Sequence, residues 1–364
     1  MILVAKIGTS SITDEQGHIH RPAIEKLCAE VVAARSAGHQ VVIVTSGAIA
    51  AGLPALDIGG ALRPRDARTL QAVSAVGQSR LMRVYDDVLA SHGLVGGQVL
   101  IAPFDFMIRQ QYLHARGTLT RLLELGAVPV VNENDAIADD EIRFGDNDRL
   151  AALVAHLVEA ELLVLLTDTA GLLTADPRLD SSASLIEEIL EIDHEMERLA
   201  GGAGSVRGSG GMASKIAAAK IAAWSGVRAV IASASRDDVL LHALEGVPGT
   251  GTVVHPRDKR LSARKLWIAF AVGSSGTVVV DDGARSALVD GNRSLLPAGV
   301  VGVIGRFADH EAVELATPDG KVFAKGLTQV GSAMLDEIKG RQTSDLPVGV
   351  VHEVVHRDDL VMLP

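Results

Sequence analysis

The sequence predicts an α/β protein, with an open and mostly parallel sheet sandwiched by helices, followed by a small and mostly β domain. Up to about residue 255, short runs of Val, Ile and Leu alternate with longer Ala- and Leu-rich stretches. The runs are nearly continuous rather than alternating with polar residues, which is typical of strands buried on both faces. After residue 246 a stretch rich in Gly, Pro and charge ends this pattern, and shorter β-like runs follow it.

Six apolar runs have the length of one strand each, and they lie at residues 2–7, 40–45, 96–102, 127–131, 161–167 and 227–232. The stretches between them are predicted as helices at residues 21–37, 66–92, 109–125, 148–160 and 212–225. Pro22 suits a first helical turn, whose N–H groups have no partner in the helix. Strands and helices that alternate in this order favour a parallel sheet with helices on both faces.

The break in the pattern sets the domain boundaries. We expect a first domain at residues 1–255, a linker at 256–272 and a second domain at 273–364. The second domain contains short β-like runs separated by Gly, Pro and Asp, which favours a small barrel or sandwich.

Composition excludes several classes of protein. The net charge of −11 argues against general binding to nucleic acid or to an anionic membrane, because both need a basic face. A single cysteine, Cys28, excludes an internal disulfide and a zinc module built on several cysteines. The apolar runs are far shorter than the ~20 residues that span a bilayer, and the N-terminus lacks a signal-peptide pattern. We therefore expect a soluble, cytoplasmic protein.

The strand ends carry the candidate chemistry, because ligands of open parallel sheets bind beyond the carboxyl ends of the strands. Small, polar or Gly residues end four of the predicted strands, at residues 6–11, 45–48, 132–135 and 167–168. Ordinary turns have a similar composition, so each segment taken alone could also be a turn without a ligand. Together the four segments indicate a ligand site.

Lys6 is the most informative of these residues. It lies inside an apolar strand, where an unpaired ammonium group is costly. The alternatives are a lysine that forms a salt bridge or that extends its charged end to solvent. The functional interpretation is a positive charge at a phosphate site beside Gly8, whose missing Cβ lets the backbone approach a ligand.

A second candidate anion site lies at residues 201–215, where a Gly-rich segment runs into a predicted helix. The free N–H groups of a helix N-terminus bind anions, and Lys215 falls in that first turn. A flexible surface loop is the alternative, since the segment is not a Walker motif. Only four lysines precede residue 251, and two of them, Lys6 and Lys215, flank Gly-rich segments.

The segment 132–148 is acidic. Asp139, Asp140 and Glu141 suit a solvated loop, whereas Asp135, Asn147 and Asp148 could bind a cationic group of a substrate and orient the lysines. Two ammonium groups, two Gly-rich anion sites and a carboxylate cluster suit phosphoryl transfer, which depends mainly on positioning and charge neutralisation. We expect Mg²⁺ on the phosphates of the nucleotide.

The motifs that carry this chemistry resemble the amino acid kinase family. They are KIGTS at 6–10, VTSGAIAAG at 44–52, QAVSAVGQSRL at 71–81, VNENDAIADDEIRFGDND at 131–148, LLTDTAGLLTADP at 165–177 and GSGGMASK at 208–215. NENDA with GDND is similar to the branch that phosphorylates the side-chain carboxylate of L-glutamate, the first step of proline biosynthesis. The end of the chain resembles a PUA domain.

The resemblance implies a role for each motif position. Lys6 and Lys215 would neutralise the transferring phosphoryl group, and Asp148 would hold both lysines. Glutamate would be bound by Ser46, Asp135 and Asn147. ATP would be bound by Lys6, Thr167, Asp168, Ser209, Gly210, Gly211, Met212, Ala213, Ser214 and Lys215. The resemblance also implies Mg²⁺ carried on ATP rather than on a protein site, proline as a feedback inhibitor, and a homo-oligomer.

Two alternatives to that activity remain open. One is a related kinase that acts on another carboxylate or on carbamate. The other is an RNA-binding regulatory protein, since PUA domains elsewhere bind RNA. Residues 275–364 carry eight Lys and Arg against thirteen Asp and Glu. This acidic balance disfavours an RNA surface, and we expect no strong RNA binding.

Overall fold

The computed structural model describes residues 1–14, 16–58, 64, 66–106, 108–137, 147–175, 180, 182–201, 211–258, 260–346 and 352–363. It divides into two compact units, Met1–Arg260 and Leu261–Pro364. The domain boundaries placed at residues 255 and 273 stay a prediction. Residues Ala263–Leu266, which fall in the predicted linker, form a helix.

The first unit has eight strands in its described part: β1 Ile2–Ile7, β2 Gln40–Val44, β3 Gly96–Ile101, β4 Val128–Glu133, β5 Leu162–Thr167, β6 Glu188–Ile189, β7 Arg228–Ser233 and β8 Thr252–Val254. Its α-helices are α1 Thr9–Ile12, α2 Arg21–Ser36, α3 Ala48–Ala55, α4 Ala67–Ser91, α5 Arg109–Glu124, α6 Asn147–Leu157, α7 His194–Ala200, α8 Met212–Trp224 and α9 Val239–Glu245. A 3₁₀ turn covers Pro103–Phe106.

The strands form one sheet in the order β3-β4-β2-β1-β5-β7-β8-β6. Neighbouring strands are parallel except for β7 and β8, which pair antiparallel. The predicted α/β class with a mostly parallel sheet is therefore confirmed. Every residue of β4 and β5 is buried, which explains why the central strands read as continuous apolar runs.

The second unit contains helix α10 Ala263–Leu266 and a π-helical turn at Trp267–Ala271 before its first strand. The remaining elements are β9 Gly276–Val280, α11 Asp282–Val289, β10 Val300–Gly305, β11 Ala312–Ala316, β12 Val322–Thr328, α12 Ser332–Ile338 and β13 Val355–Met362, with 3₁₀ turns at Pro297–Gly299 and Thr343–Asp345. Its sheet has the order β10-β9-β11-β12-β13 and packs on its own apolar core. The predicted small, mostly β domain is confirmed.

Cys28 lies on α2 and is fully buried in the core of the first unit. Burial raises the pKa of its thiol to about 12, so the thiol stays protonated at neutral pH. Across the described residues, no helix combines the length and the apolar character needed to cross a bilayer.

Helices α3 and α4 approach closely at two glycines, which brings the C-terminal side of β2 next to α4. A Cβ built on Gly77 of α4 would lie 1.8 Å from the carbonyl oxygen of Ala48. A Cβ on Gly52 of α3 would lie 2.1 Å from the carbonyl oxygen of Val73. Only glycine fits at either position without a backbone shift.

We expect Gly77→Ala to lower the free energy of unfolding by about 1–3 kcal/mol or more, because the added methyl group forces two backbones apart. The matched control is Gly117→Ala on α5, where a Cβ would meet no atom within 4 Å. That change removes a helix-breaking glycine and should stabilise the protein by up to about 1 kcal/mol. The urea midpoints of the two variants measure these changes in stability. A Gly77→Ala protein as stable as the unmodified protein would contradict the packing argument.

Candidate active site

Four predicted strand ends meet at one edge of the sheet. Strands β4, β2, β1 and β5 are consecutive neighbours and all parallel, so their carboxyl ends point the same way. Lys6 on β1 pairs in register with Val44 of β2 and Leu165 of β5. The polar segments that follow these strands therefore begin at similar heights along the edge.

Two lysines and one aspartate form the centre of this edge. Lys6 Nζ lies 2.5 Å from Asp148 Oδ1, and Lys215 Nζ lies 3.1 Å from Asp148 Oδ2. Asp148 is 0% exposed, Lys6 3% and Lys215 5%. The structure thus brings together three side chains that stand far apart in the sequence, around a single carboxylate.

The carboxylate of Asp148 is ionised in this arrangement. Burial by itself would raise its pKa, but the ammonium groups of Lys6 and Lys215 act against burial and outweigh it. Hydrogen bonds from Lys6 and from the Ser214 hydroxyl, the latter 2.8 Å long, contribute to the same effect. The pKa of Asp148 is therefore held below its ordinary value.

Helices α6 and α8 both begin at this cluster, and each supplies a residue from its first turn. Asp148 is the second residue of α6, a position that favours a negative charge. Lys215 is the fourth residue of α8, where the helix dipole disfavours a cation. The carboxylate of Asp148 compensates this cost, so Lys215 is held at this position by its pairing with Asp148.

The other two lysines before residue 251 have different surroundings. Lys26 Nζ donates to Glu30 at 3.0 Å and to the carbonyl oxygen of Arg236. Lys220 Nζ donates to Glu197 at 2.6 Å and links α8 to α7. Neither of these lysines is paired with Asp148 in the described structure.

Gly8 lies directly beside the ammonium group of Lys6. A Cβ built on Gly8 would lie 3.5 Å from Lys6 Nζ, an ordinary van der Waals distance. Its φ of −85° and ψ of 161° are accessible to alanine. A methyl group at this position would therefore be tolerated by the fold but would cover the approach to Nζ.

If the chain binds ATP as its resemblance to the amino acid kinase family implies, Gly8→Ala is expected to raise the KM for ATP by about tenfold or more while the melting temperature stays within about 2 °C. The loss of one charge-assisted contact of about 1.5–3 kcal/mol accounts for this range. Steady-state kinetics and thermal unfolding measure the two effects, with Gly117→Ala as the matched control. An unchanged KM would place the phosphates away from Gly8.

A second cluster lies beside the first and consists of uncharged amides. Asn147 Nδ2 donates to the carbonyl oxygen of Thr45 at 2.5 Å and to Asn132 Oδ1 at 2.6 Å. Asn132 Nδ2 donates in turn to Gln78 Oε1 on α4 at 2.7 Å. Asn147 precedes Asp148 in the chain, so this amide cluster borders the lysine cluster directly.

The remaining candidates for glutamate binding lie around these amides. Ser46 is half-buried and lies just after the end of β2. The next residue, Gly47, is the N-cap of α3 and has a φ of +96°. Asp135 is half-buried beyond the end of β4, and its Oδ2 accepts a hydrogen bond of 3.2 Å from the Ser74 hydroxyl of α4.

The candidate nucleotide residues follow β5 and open α8. Thr167 is buried and donates from Oγ1 to Asp168 Oδ1 at 3.1 Å, while Asp168 is exposed. Gly211 caps α8, and Met212 and Ala213 form its first residues. Ser209 and Gly210 lie outside the described residues, as do Asp139, Asp140 and Glu141 of the acidic segment.

Sequence reasoning missed Ser74 and Gln78 of α4. Both are buried polar residues, and they are spaced four apart, so they share one face of the helix. A serine and a glutamine on the apolar face of a predicted amphipathic helix were the available signal. Their partners, Asp135 and Asn132, are visible only in the folded structure.

No group of three or more His, Cys, Asp or Glu side chains that could hold a metal ion occurs within the described residues.

Comparisons with known proteins agree with this architecture. The model of the amino acid kinase family matches residues 1–233, and that of the PUA domain matches residues 276–349. A glutamate 5-kinase of Geobacter sp. (strain M21) is 44% identical over 365 residues, which cover 99% of this chain and 97% of the relative. A glutamate 5-kinase of Burkholderia multivorans (strain ATCC 17616 / 249) is 45% identical with the same coverage.

Solved structures show the same fold at low identity. Carbamate kinase from Giardia lamblia bound to AMP-PNP has a TM-score of 0.50 and 17% identity, covering 70% of this chain and 98% of that one. An isopentenyl phosphate kinase product complex from T. acidophilum has a TM-score of 0.50 and 17% identity, covering 70% of this chain and 100% of that one. These two likenesses concern the fold alone.

Proposed function

This chain belongs to the amino acid kinase family, and we propose that it transfers the γ-phosphoryl group of ATP to the side-chain carboxylate of L-glutamate. The products are ADP and L-glutamyl 5-phosphate, in the first step of proline biosynthesis. The observation that carries the proposal is the pair of buried ammonium groups, from Lys6 and Lys215, that share the carboxylate of Asp148.

The chemistry follows from where the charges lie. A carboxylate oxygen of glutamate attacks the γ-phosphorus, a new P–O bond forms, and the bond to the bridging oxygen of ADP breaks. Both reactants are anions, so the reaction needs positive charge that is already in place. Lys6 and Lys215 supply this charge to the transferring phosphoryl group. Asp148 holds the two ammonium groups in position and offsets their mutual repulsion.

The two substrates bind on the two sides of this charge cluster. Thr167, Asp168 and the start of α8, with Ser209 and Gly210 before it, hold ATP, and the free N–H groups of α8 face its phosphates. Ser46, Asp135 and Asn147 hold glutamate at the ends of β2 and β4. The carboxylate of Asp135 meets the α-ammonium group of glutamate.

Mg²⁺ is carried on the phosphates of ATP in this proposal. The described donor set fits this arrangement, because its carboxylates are already engaged by lysine and serine side chains. Bound Mg²⁺ supplies further neutralisation of the phosphate charge. Proline as a feedback inhibitor, self-association and a cytoplasmic location are further proposals that accompany this activity.

The test is a coupled assay of ADP release with glutamate, N-acetylglutamate, aspartate and carbamate as acceptors. We expect glutamate to give a kcat/KM at least about a hundredfold above any other acceptor, and proline to inhibit that reaction. Lys6→Met protein provides the background for contaminating ATPase activity. Preference for another acceptor would make the chain a related kinase, and turnover with none of them would refute the proposal.

A further inference from the structure

The amide cluster of Gln78, Asn132 and Asn147 has a fixed polarity. The backbone N–H of Glu133 donates to Asn132 Oδ1 at 2.9 Å, so this end of the Asn132 amide must be its oxygen. The NH₂ end of Asn132 consequently faces Gln78, whose nearest atom must be the acceptor Oε1. The Glu133 N–H and Gln78 Oε1 therefore hold the two opposite ends of the Asn132 amide.

The same reasoning orients Asn147. Its Nδ2 faces the carbonyl oxygen of Thr45 and Asn132 Oδ1, and neither of these atoms can donate. Both N–H bonds of Asn147 are thus used within the protein. The group that it retains for a ligand is its carbonyl oxygen, which only accepts hydrogen bonds.

We propose that Gln78 is a positioning residue that acts through Asn132 to hold the carbonyl oxygen of Asn147 toward the α-ammonium group of the amino acid substrate. This inference rests on the proposed function. It assigns Asn147 to the ammonium group, because a carboxylate needs donors and this amide has none left. Asn147 and Asp135 then recognise the same cationic group, one as a neutral acceptor and one as an anion.

The position of Gln78 supports such a role. Gln78 is 7% exposed, and it lies one helical turn after Ser74, which donates to Asp135. Gly77 between them allows α4 to pack against α3, which begins two residues after Ser46. One face of α4 thus supports both candidate ammonium-binding residues.

The glutamine at position 78 carries a cost in stability. Among the described residues, Gln78 Nε2 has no hydrogen-bond acceptor although the atom is buried. A buried donor without a partner costs about 1–3 kcal/mol, and an apolar side chain of similar size would avoid that cost. Gln78 thus contributes its oxygen atom to the cluster at a cost in stability.

The test compares glutamate with glutarate, which has the same two carboxylates and carbon chain but no ammonium group. The readout is the ratio of kcat/KM for glutamate to that for glutarate, together with the KM for ATP. In Gln78→Met, which loses the acceptor, we expect the ratio to fall by about tenfold while the KM for ATP stays within about twofold. A merely structural role would lower both activities equally and leave the ratio unchanged.

Gln78→Glu is the conservative variant, because it keeps an oxygen where Asn132 Nδ2 donates. We expect it to retain the ratio within about twofold of the unmodified protein. Gln111→Met, at an exposed position of α5, is the matched control and should change neither quantity. An unchanged ratio in Gln78→Met, or an equal loss in Gln78→Glu, overturns the inference.

A further variant keeps the proposal testable if Gln78→Met fails to fold. Gln78→Leu also removes the acceptor and keeps an apolar side chain of similar size at this buried position. The ratio should again fall by about tenfold, and an unchanged ratio would overturn the inference. Absence of any glutamate-dependent turnover in the unmodified protein would instead refute the proposed function itself.

Discussion

Turnover is expected to fall about a hundred- to a thousandfold when Lys6 or Lys215 is replaced by methionine. In the proposed reaction each ammonium group contacts charge that develops on the transferring phosphoryl group, and removal of one such contact in a buried site costs about 2.7–4 kcal/mol of transition-state stabilisation. The loss should appear mainly in kcat, because the contact strengthens in the transition state. Single-turnover and steady-state measurements of ADP release check both variants.

Methionine keeps most of the apolar stem of lysine, so the cavity around each side chain stays filled. Asp148 also retains one ammonium partner in either single variant. Circular dichroism should therefore show folded protein at the assay temperature. Lys321→Met, an exposed change in the second unit, serves as the control with the same loss of charge. A near-normal kcat in Lys6→Met would remove Lys6 from the mechanism.

Asp148→Asn is expected to combine a loss of stability with a loss of activity. It leaves two buried ammonium groups without their shared counter-ion, and removal of one member of a buried ion pair typically costs about 3–5 kcal/mol. Urea unfolding at neutral pH measures this difference, with the exposed Asp237→Asn as the control. A variant as stable as the unmodified protein would show that the lysines do not depend on this carboxylate.

The difference in unfolding free energy between the unmodified protein and Asp148→Asn should depend on pH with a definite sign. The pKa of Asp148 in the folded protein lies below its ordinary value of 3.8. The stabilisation is therefore fully present above about pH 4, and it is lost as the pH falls through the lowered pKa. The gap in urea midpoint between the unmodified protein and Asp148→Asn should stay constant from pH 7 to 5 and narrow on further acidification. A gap that widens in acid would contradict the assignment.

The central strands could be predicted from the sequence because burial on both faces leaves an unbroken apolar run. β1 and β5 begin and end within one residue of their predicted bounds. The peripheral pair β6 and β8 was not predicted, since strands of two and three residues show no periodicity. They depend on pairing instead, β8 with β7 and β6 with β8. Helix α3 was also missed, because its Gly52 and Pro54 resemble the composition of a loop.

The candidate site likewise contains some residues that could be predicted from the sequence and others that could not. Lys6 could be singled out because a charge inside an apolar strand is exceptional, and Asp148 and Lys215 because they open helices beside it. The contacts of Ser74 and Gln78 could not be predicted, since α4 has to pack against α3 before either side chain reaches the strand ends. Such long-range packing leaves no local pattern in the chain.

The burial of the only cysteine has a practical consequence for spectroscopy. Cys28 is enclosed in the core and its thiol stays protonated at neutral pH, so maleimide and iodoacetamide reagents have no reactive thiolate to attack in the folded protein. A cysteine introduced at an exposed position outside the proposed site, such as Gln111 of α5, would then be the sole labelling site. A fluorophore could be attached there without prior removal of native thiols.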